Sequence, residues 1–393
     1  MSGQDDIEGC DRRLTNKVGD ATQVPSQVPS QVQANAQVQA NARGAQGAEG
    51  AHADLVLRVE VPFCAQLALY QRPGARHTQP SPRLLDAYVD ALEAEARAAA
   101  AEARDHRVIA VHVAGDCPSM LGENRFERLM RCVRGCFALG DDAEVVVDVL
   151  PGSLSAADLL AYRRSGVTRL VADVVADTPD ESARTGRFAD MANMGATMRI
   201  VRTAHAEGLV DLRMRYGLPR QTPSLWRREL ANALEWRPGQ VELVPLMVEP
   251  GSRMWEEGAY VGAPAASASA AMPAVSQEVA RQLADVAADV LGGAGYERVA
   301  GASTDAGTGT GAGSRAGDAG NADDAGGEEV WALPGRESRL THARTAGVET
   351  LGLGVGVASR VDGFAYENAD DLDLYLAKSA DISAIARDVH RVG

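Results

Sequence analysis

Between about residue 54 and residue 250 the chain alternates two hydrophobic patterns. Short runs rich in Val, Leu and Ile are followed by longer stretches in which apolar residues recur every three or four positions. The runs predict strands buried on both faces, and the longer stretches predict amphipathic helices packed on them. Strands are expected near 55–61, 108–113, 143–149, 168–175, 209–216 and 241–248. Helices are expected over 82–104, 123–137, 155–165, 191–207 and 223–236. In the second of these, Phe126, Leu129, Met130, Val133 and Phe137 share one face. Ser155 stands as an N-cap before the third. Repeated β–α units predict parallel strands joined by right-handed crossovers. A closed eight-fold barrel takes about 250 residues. This span is shorter, so the expected class is α/β with a partial (β/α)6 barrel.

Two stretches have neither period. Residues 1–53 contain VPSQVPSQVQANAQVQANA, a degenerate repeat of small and polar residues. Residues 301–327 are built almost wholly of Gly, Ala, Asp, Ser and Thr. Neither buries enough apolar surface to offset its ordering entropy. The expectation is a disordered tail over 1–53, a partial barrel over 54–260, and a C-terminal extension over 261–393 interrupted by a low-complexity insertion.

Composition narrows the picture. Aromatic residues are only 4%, so the core must rest on Ala, Val and Leu. The net charge of −15 disfavours a nucleic-acid partner or an anionic membrane surface, both of which call for a basic face. No apolar run approaches the ~20 residues of a membrane span, and the acidic start does not resemble a secretory signal. Five cysteines, an odd number, fit a reducing, cytoplasmic setting without a disulfide framework. The seven histidines show no metal-ligand spacing. LGLGVGV at 351–357 lacks the Lys-Ser/Thr of a phosphate loop, so no nucleotide is assigned. Cys132 and Cys136, four apart on one helix, are expected to line its apolar side.

Six segments carry a resemblance. They are VEVPFCAQLALYQRP (59–73), HVAGDCPSML (112–121), DVLPGSLS (148–155), RYGLPRQTPSLW (215–226), PLMVEPGSRMW (245–255) and LGLGVGVASRVDGFAYEN (351–368). In this order the chain resembles the oxygen-independent coproporphyrinogen III oxidase family and its heme-chaperone branch, the HemN/HemW-like radical SAM proteins. The resemblance implies the partial barrel. It also implies a [4Fe–4S] cluster on three cysteines spaced C-x3-C-x2-C, with S-adenosylmethionine bound beside it. A glycine loop and several strand-end residues would hold the methionine part of that cofactor.

At those positions the sequence departs from the family. The cluster positions read Cys64, Ala68 and Gln71. Alanine has no ligand atom, and an amide oxygen is a poor match for soft iron–sulfur chemistry. The glycine loop reads Ala114, Gly115, Asp116, Cys117, Pro118 and Ser119. Cofactor contacts are replaced by Asp148, Val175 and Arg213, and the HNxxYW motif by Leu340, Thr341, Arg344 and Thr345. Turn and packing residues such as Pro62, Phe63, Pro151, Gly152, Gly217, Pro219 and Gln221 remain. The resemblance implies a C-terminal helical domain, and the extension over 261–393 is expected to be a truncated form of it.

The expectation is a fold kept and a site abandoned. It foresees no catalytic residue, no resident metal or cofactor, and a pseudoenzyme role with heme, porphyrin or a protein partner. Two alternatives stay open: an active cluster- and S-adenosylmethionine-dependent oxidoreductase of porphyrin biosynthesis, and a product without a selected role. Cys64 and Cys117 should share one mouth, but four good ligands for zinc are not evident. Strand parity places Asp173 with Val175, and Arg215 with Arg213. Two buried arginines need counter-charges. Arg213 and Arg215 are therefore expected to pair with Asp148 or Asp173 and to fill the old cofactor volume.

Overall fold

The computed structural model describes residues 52–64, 68–71, 80–115, 117–174, 185–186, 195, 197–199, 209–262, 271–299 and 329–392. The low-complexity stretches, apart from the last residues before the first strand, lie outside the described residues, as do Asp116 and Val175.

The first half runs β1 (Ala53–Val61), α1 (Pro82–Ala99), β2 (His106–Gly115), α2 (Gly122–Cys136), β3 (Leu139–Val149), α3 (Ala156–Arg164), β4 (Arg169–Val174), β5 (Leu209–Tyr216), α4 (Pro223–Leu234) and β6 (Gln240–Pro245). Polar caps start α1, α3 and α4. Ser81 and Thr222 accept from the backbone three residues on, and Ser155 with Asp158 forms a reciprocal capping box. α1 stops at Ala99 and turns follow, short of the expected 104.

Strands β1 to β6 are parallel neighbours in order. Val and Leu at alternate positions, Leu55, Leu57, Val59 and Val61 on β1, meet Leu85, Tyr88, Val89 and Leu92 of α1 in the main core. The other parity, Val56, Ala110, Val146 and Val171, forms a second cluster on the opposite, inner face. β2 ends where it touches β1. A Cβ on Gly115, whose φ is +120°, would lie 2.1 Å from the Val61 carbonyl oxygen, so only glycine fits.

The expected last strand is split. β6 ends at Pro245, and β7 (Met247–Val248) pairs with β8 (Met272–Pro273) in a separate two-stranded sheet. Proline supplies no N–H to continue the ladder. Between them lies α5 (Arg253–Glu256), and after them come α6 (Gln277–Gly293), β9 (Glu297–Arg298) and β10 (Glu329–Ala332). β10 runs antiparallel to β6 and carries β9.

The rest of the chain adds α7 (Arg339–Thr345), β11 (Glu349–Leu353), β12 (Ala358–Val361), β13 (Phe364–Asn368), α8 (Leu372–Lys378), α9 (Ile382–Ile385) and β14 (Ala386–Arg391). β11 is a further parallel strand, paired outside β1, which the strand expectations did not include. Its glycines explain why it was not read as one. A Cβ on Gly352 would sit 2.6 Å from the Ala358 carbonyl oxygen, so the β11–β12 turn demands glycine inside a strand. The resulting sheet has the linear order β14-β13-β12-β11-β1-β2-β3-β4-β5-β6-β10-β9, open at both ends. α7 is seated on the inner face, where Leu340 and Ala343 cover Val56, Ala110, Val146 and Val171. Among the described residues no helix is long and apolar enough to cross a membrane.

Candidate functional site

Parallel strands aim their inner-face side chains into one space, and here that space is charged. On β5, Asp211, Arg213 and Arg215 alternate with Leu212 and Met214, which belong to the helix-side core. On β3, Glu144 and Asp148 flank Val146, and on β4, Arg169 and Asp173 flank Val171. Unpaired, such groups would be prohibitively costly to bury.

They are paired. The Arg213 guanidinium donates to Asp148 Oδ2 at 3.0 Å and to Glu242 Oε2 at 2.8 Å. Asp148 Oδ1 lies 2.9 Å from His112 Nε2, and Arg344 of α7 reaches His112 Nδ1 at 3.0 Å. Arginine can only donate, so Nδ1 is the acceptor and Nε2 carries the proton given to Asp148. Burial pushes the His112 pKa down to about 4, against the pull of Asp148 and with the help of Arg344 and Arg58. The imidazole is thus neutral at neutral pH. Burial alone would raise the Asp148 pKa, but Arg213, joined by the hydrogen bond from His112, holds that carboxyl well below the ordinary range. Arg215 is 3.5 Å from Asp173 and lies over the Tyr70 ring, 5.6 Å from its centroid. The expectation that these arginines pair with Asp148 or Asp173 is met by Arg213 on Asp148 and, at a longer distance, by Arg215 on Asp173. Glu242, His112 and Arg344 were not anticipated.

A second set lies nearer the strand starts. Arg169 donates to Glu144 at 2.7 Å and to both Asp211 oxygens at 2.8 and 2.7 Å. Glu144 also accepts from the Ser338 hydroxyl and the Leu340 N–H, which anchors the first turn of α7. Burial raises the Asp211 pKa to about 7, against the pull of Arg169, with Glu242 and Glu144 adding to the rise.

At the mouth, the segment after β1 folds on itself. Gln71 Oε1 accepts from the Ala68 N–H at 3.3 Å, and the Gln71 N–H donates to the Ala68 carbonyl at 3.0 Å. Both residues are buried. Cys64 and Cys117 do share one apolar cluster, with Leu150, and Cys117 Sγ lies 3.3 Å from Ser119 Oγ. The three positions that the resemblance assigns to the cluster thus offer one thiol, one methyl group and one amide already engaged with its own loop. This donor set does not fit a [4Fe–4S] cluster. Ala114 and Gly115 close β2, and Pro118 and Ser119 open a 3-10 turn over Pro118–Leu121. Asp116 and Val175 lie outside the described residues.

The motif residues that persist do architectural work. Gln221 Oε1 accepts from the Gly217 N–H at 2.7 Å and its Nε2 donates to Glu229 at 2.7 Å, closing the turn after β5. Cys132 and Cys136 pack partly buried against the main core with their sulfurs 3.8 Å apart.

The large parallel sheet, with charged residues gathered near the carboxyl ends of its strands, has a counterpart among solved structures. It superposes on the coproporphyrinogen III oxidase HemN of Escherichia coli, described as a radical SAM enzyme, with a TM-score of 0.65 and 20% identity over 87% of this chain and 73% of that one. In sequence the chain is similar to the heme chaperone HemW of Synechocystis, 25% identical over 57% of this chain and 55% of the relative. It is also similar to the oxygen-independent coproporphyrinogen III oxidase of Bradyrhizobium diazoefficiens, 32% identical over 44% of this chain and 38% of the relative. No family model matches the chain. The chain spans about half the length of the curated relatives it matches. In sequence and in fold it is thus similar to the HemN/HemW-like proteins.

Proposed function

We propose that this chain is a non-catalytic HemN/HemW-like protein, a pseudoenzyme that keeps the sheet and uses it to bind heme or porphyrin. The observation that carries the proposal is the salt-bridged Arg213, which spans Asp148 and Glu242 where the family resemblance puts cofactor contacts. The guanidinium is locked between two carboxylates, Asp148 and Glu242, and engages both of them in place of a cofactor's amine. Ala68 and Gln71 remove the cluster donors that would hold such a cofactor. Heme or porphyrin as ligand is carried over from relatives named as heme chaperones and coproporphyrinogen III oxidases. The second reading, docking of a protein partner, uses the same fold without a small ligand.

Equilibrium dialysis of the purified chain against hemin and, separately, against S-adenosylmethionine tests the proposal. Saturable hemin binding at one site, with no retention of S-adenosylmethionine, is the expected result. Retention of S-adenosylmethionine would overturn the non-catalytic reading. Absence of binding to hemin, and to coproporphyrin in a parallel dialysis, would transfer the role to a protein partner.

A further inference from the structure

The strand starts, at the far end of the sheet from Cys64 and Cys117, hold another cluster. His106 begins β2, Glu349 begins β11, and Asp362 sits in the turn between β12 and β13 with φ +52°. β1 lies between the two strands: Ala53 is opposite His106 and Leu55 opposite Glu349. Residues two apart share a face, so both side chains emerge on the helix side, where Leu55 enters the main core. The turn between β12 and β13 brings Asp362 to the same point.

The atoms converge. His106 Nε2 is 3.1 Å from Glu349 Oε2 and 3.6 Å from Asp362 Oδ1, and all three donors lie within 4.8 Å of one another. A tetrahedral cation with bonds of about 2.0–2.2 Å holds neighbouring donors roughly 3.4 Å apart. The His106 side chain is 4% exposed, whereas Glu349 and Asp362 are 32% and 47% exposed. One donor is therefore fixed by packing, and the open side admits an ion and its water.

We propose that His106, Glu349 and Asp362 form a binding site for one divalent transition-metal cation of the zinc class. The mixed nitrogen and oxygen donors suit such an ion better than magnesium or calcium, which take oxygen sets. The bound ion would tie the start of β2 to the start of β11 and to the β12–β13 turn, fastening the C-terminal strands to the first parallel strands. Its effect is structural, because an ion that binds only the folded chain stabilises it by mass action. The site is independent of the heme or porphyrin reading.

The test uses the full chain with Cys132→Ser and Cys136→Ser, which removes a pair of thiols 3.8 Å apart from competition, after chelator treatment. Zn2+ is titrated by calorimetry and Co2+ by absorption. One ion per chain is expected, with a Co2+ spectrum free of thiolate charge transfer and a higher thermal midpoint with Zn2+ than with Mg2+. Glu349→Gln and Asp362→Asn should each weaken binding by about tenfold or more. Asp362→Asn keeps a residue that tolerates the left-handed turn, so its metal-free melt should match the parent. No binding, a thiolate spectrum, equal stabilisation by Mg2+, or affinity indifferent to both substitutions would overturn the proposal.

Discussion

At the residue scale, Arg213 is the member of the inner face with the most at stake. It is buried with two carboxylates, Asp148 and Glu242, each also held by one neutral partner, His112 or Gln240. Such a pair need not add net stability over an apolar equivalent, but losing one partner leaves charge buried without its counter-charge. Arg213→Ala should therefore destabilise the fold by about 3–5 kcal/mol, read from urea denaturation. Combining Arg213→Met with Asp148→Asn and Glu242→Gln should recover much of that loss. A single variant as stable as the parent would mean the guanidinium is not holding the network together. Acid sensitivity follows from the same residues. The folded pKa of His112 is about 4, below its ordinary 6.5, and that of Asp148 lies below its ordinary 3.8. Both groups bind more protons when unfolded. Stability is thus full above pH 6.5 for His112 and is lost as pH falls toward 4, with Asp148 adding a further loss below 3.8. His112→Gln should remove the part of the denaturation profile between pH 4 and 6.5 and leave the more acidic part.

At the element scale, the C-terminal strands are clamped to α1 by one carboxyl. Glu95 accepts from the Gly354 N–H at 2.8 Å, from Asn368 Nδ2 and from the Tyr375 hydroxyl. Burial raises its pKa from 4.5 to about 7, against those three hydrogen bonds. The folded chain then holds the proton more tightly than the unfolded chain. This contribution is full below pH 4.5 and is lost as pH rises through 7. Opposite in sign to His112, it predicts that Glu95→Gln flattens the stability decline between pH 4.5 and 7, as followed by thermal melts across that range. An unchanged profile would place the titration elsewhere.

The elements also show what the sequence allowed one to read. Long two-period stretches gave β1 to β5, α1 to α4 and most of β6, because burial against helices writes itself as Val and Leu repeats. The Arg213–Asp148 contact was legible from strand parity together with the family resemblance. Glu242 carried a signal too, an acid inside the apolar run Val241–Val244, but which strand it faces depends on register. His112 and Arg344 meet only because α7 lies on the inner face. Seven residues are too few for a helical period to announce that seat. β11 was obscured by the glycines its turn requires.

At the scale of the whole molecule, one architecture serves two ends of the sheet. The carboxyl ends carry the positions that the family resemblance assigns to cofactor contacts, where Arg213 is paired with Asp148 and Glu242. The amino ends carry the His106, Glu349 and Asp362 cluster. Restoring Cys at Ala68 and Gln71 together should leave the chain without S-adenosylmethionine cleavage, because Arg213 still bridges Asp148 and Glu242. Release of methionine and 5′-deoxyadenosine by that double variant would show that the cluster loop alone decides activity.

The most direct measurement is anaerobic reconstitution of the unaltered chain with iron and sulfide, followed by desalting, iron and sulfide counting, and visible absorption. The account predicts a colourless protein with iron far below the content of one [4Fe–4S] cluster, and no methionine or 5′-deoxyadenosine from S-adenosylmethionine under reduction. A stable brown protein with close to four irons per chain, cleaving S-adenosylmethionine, would contradict it.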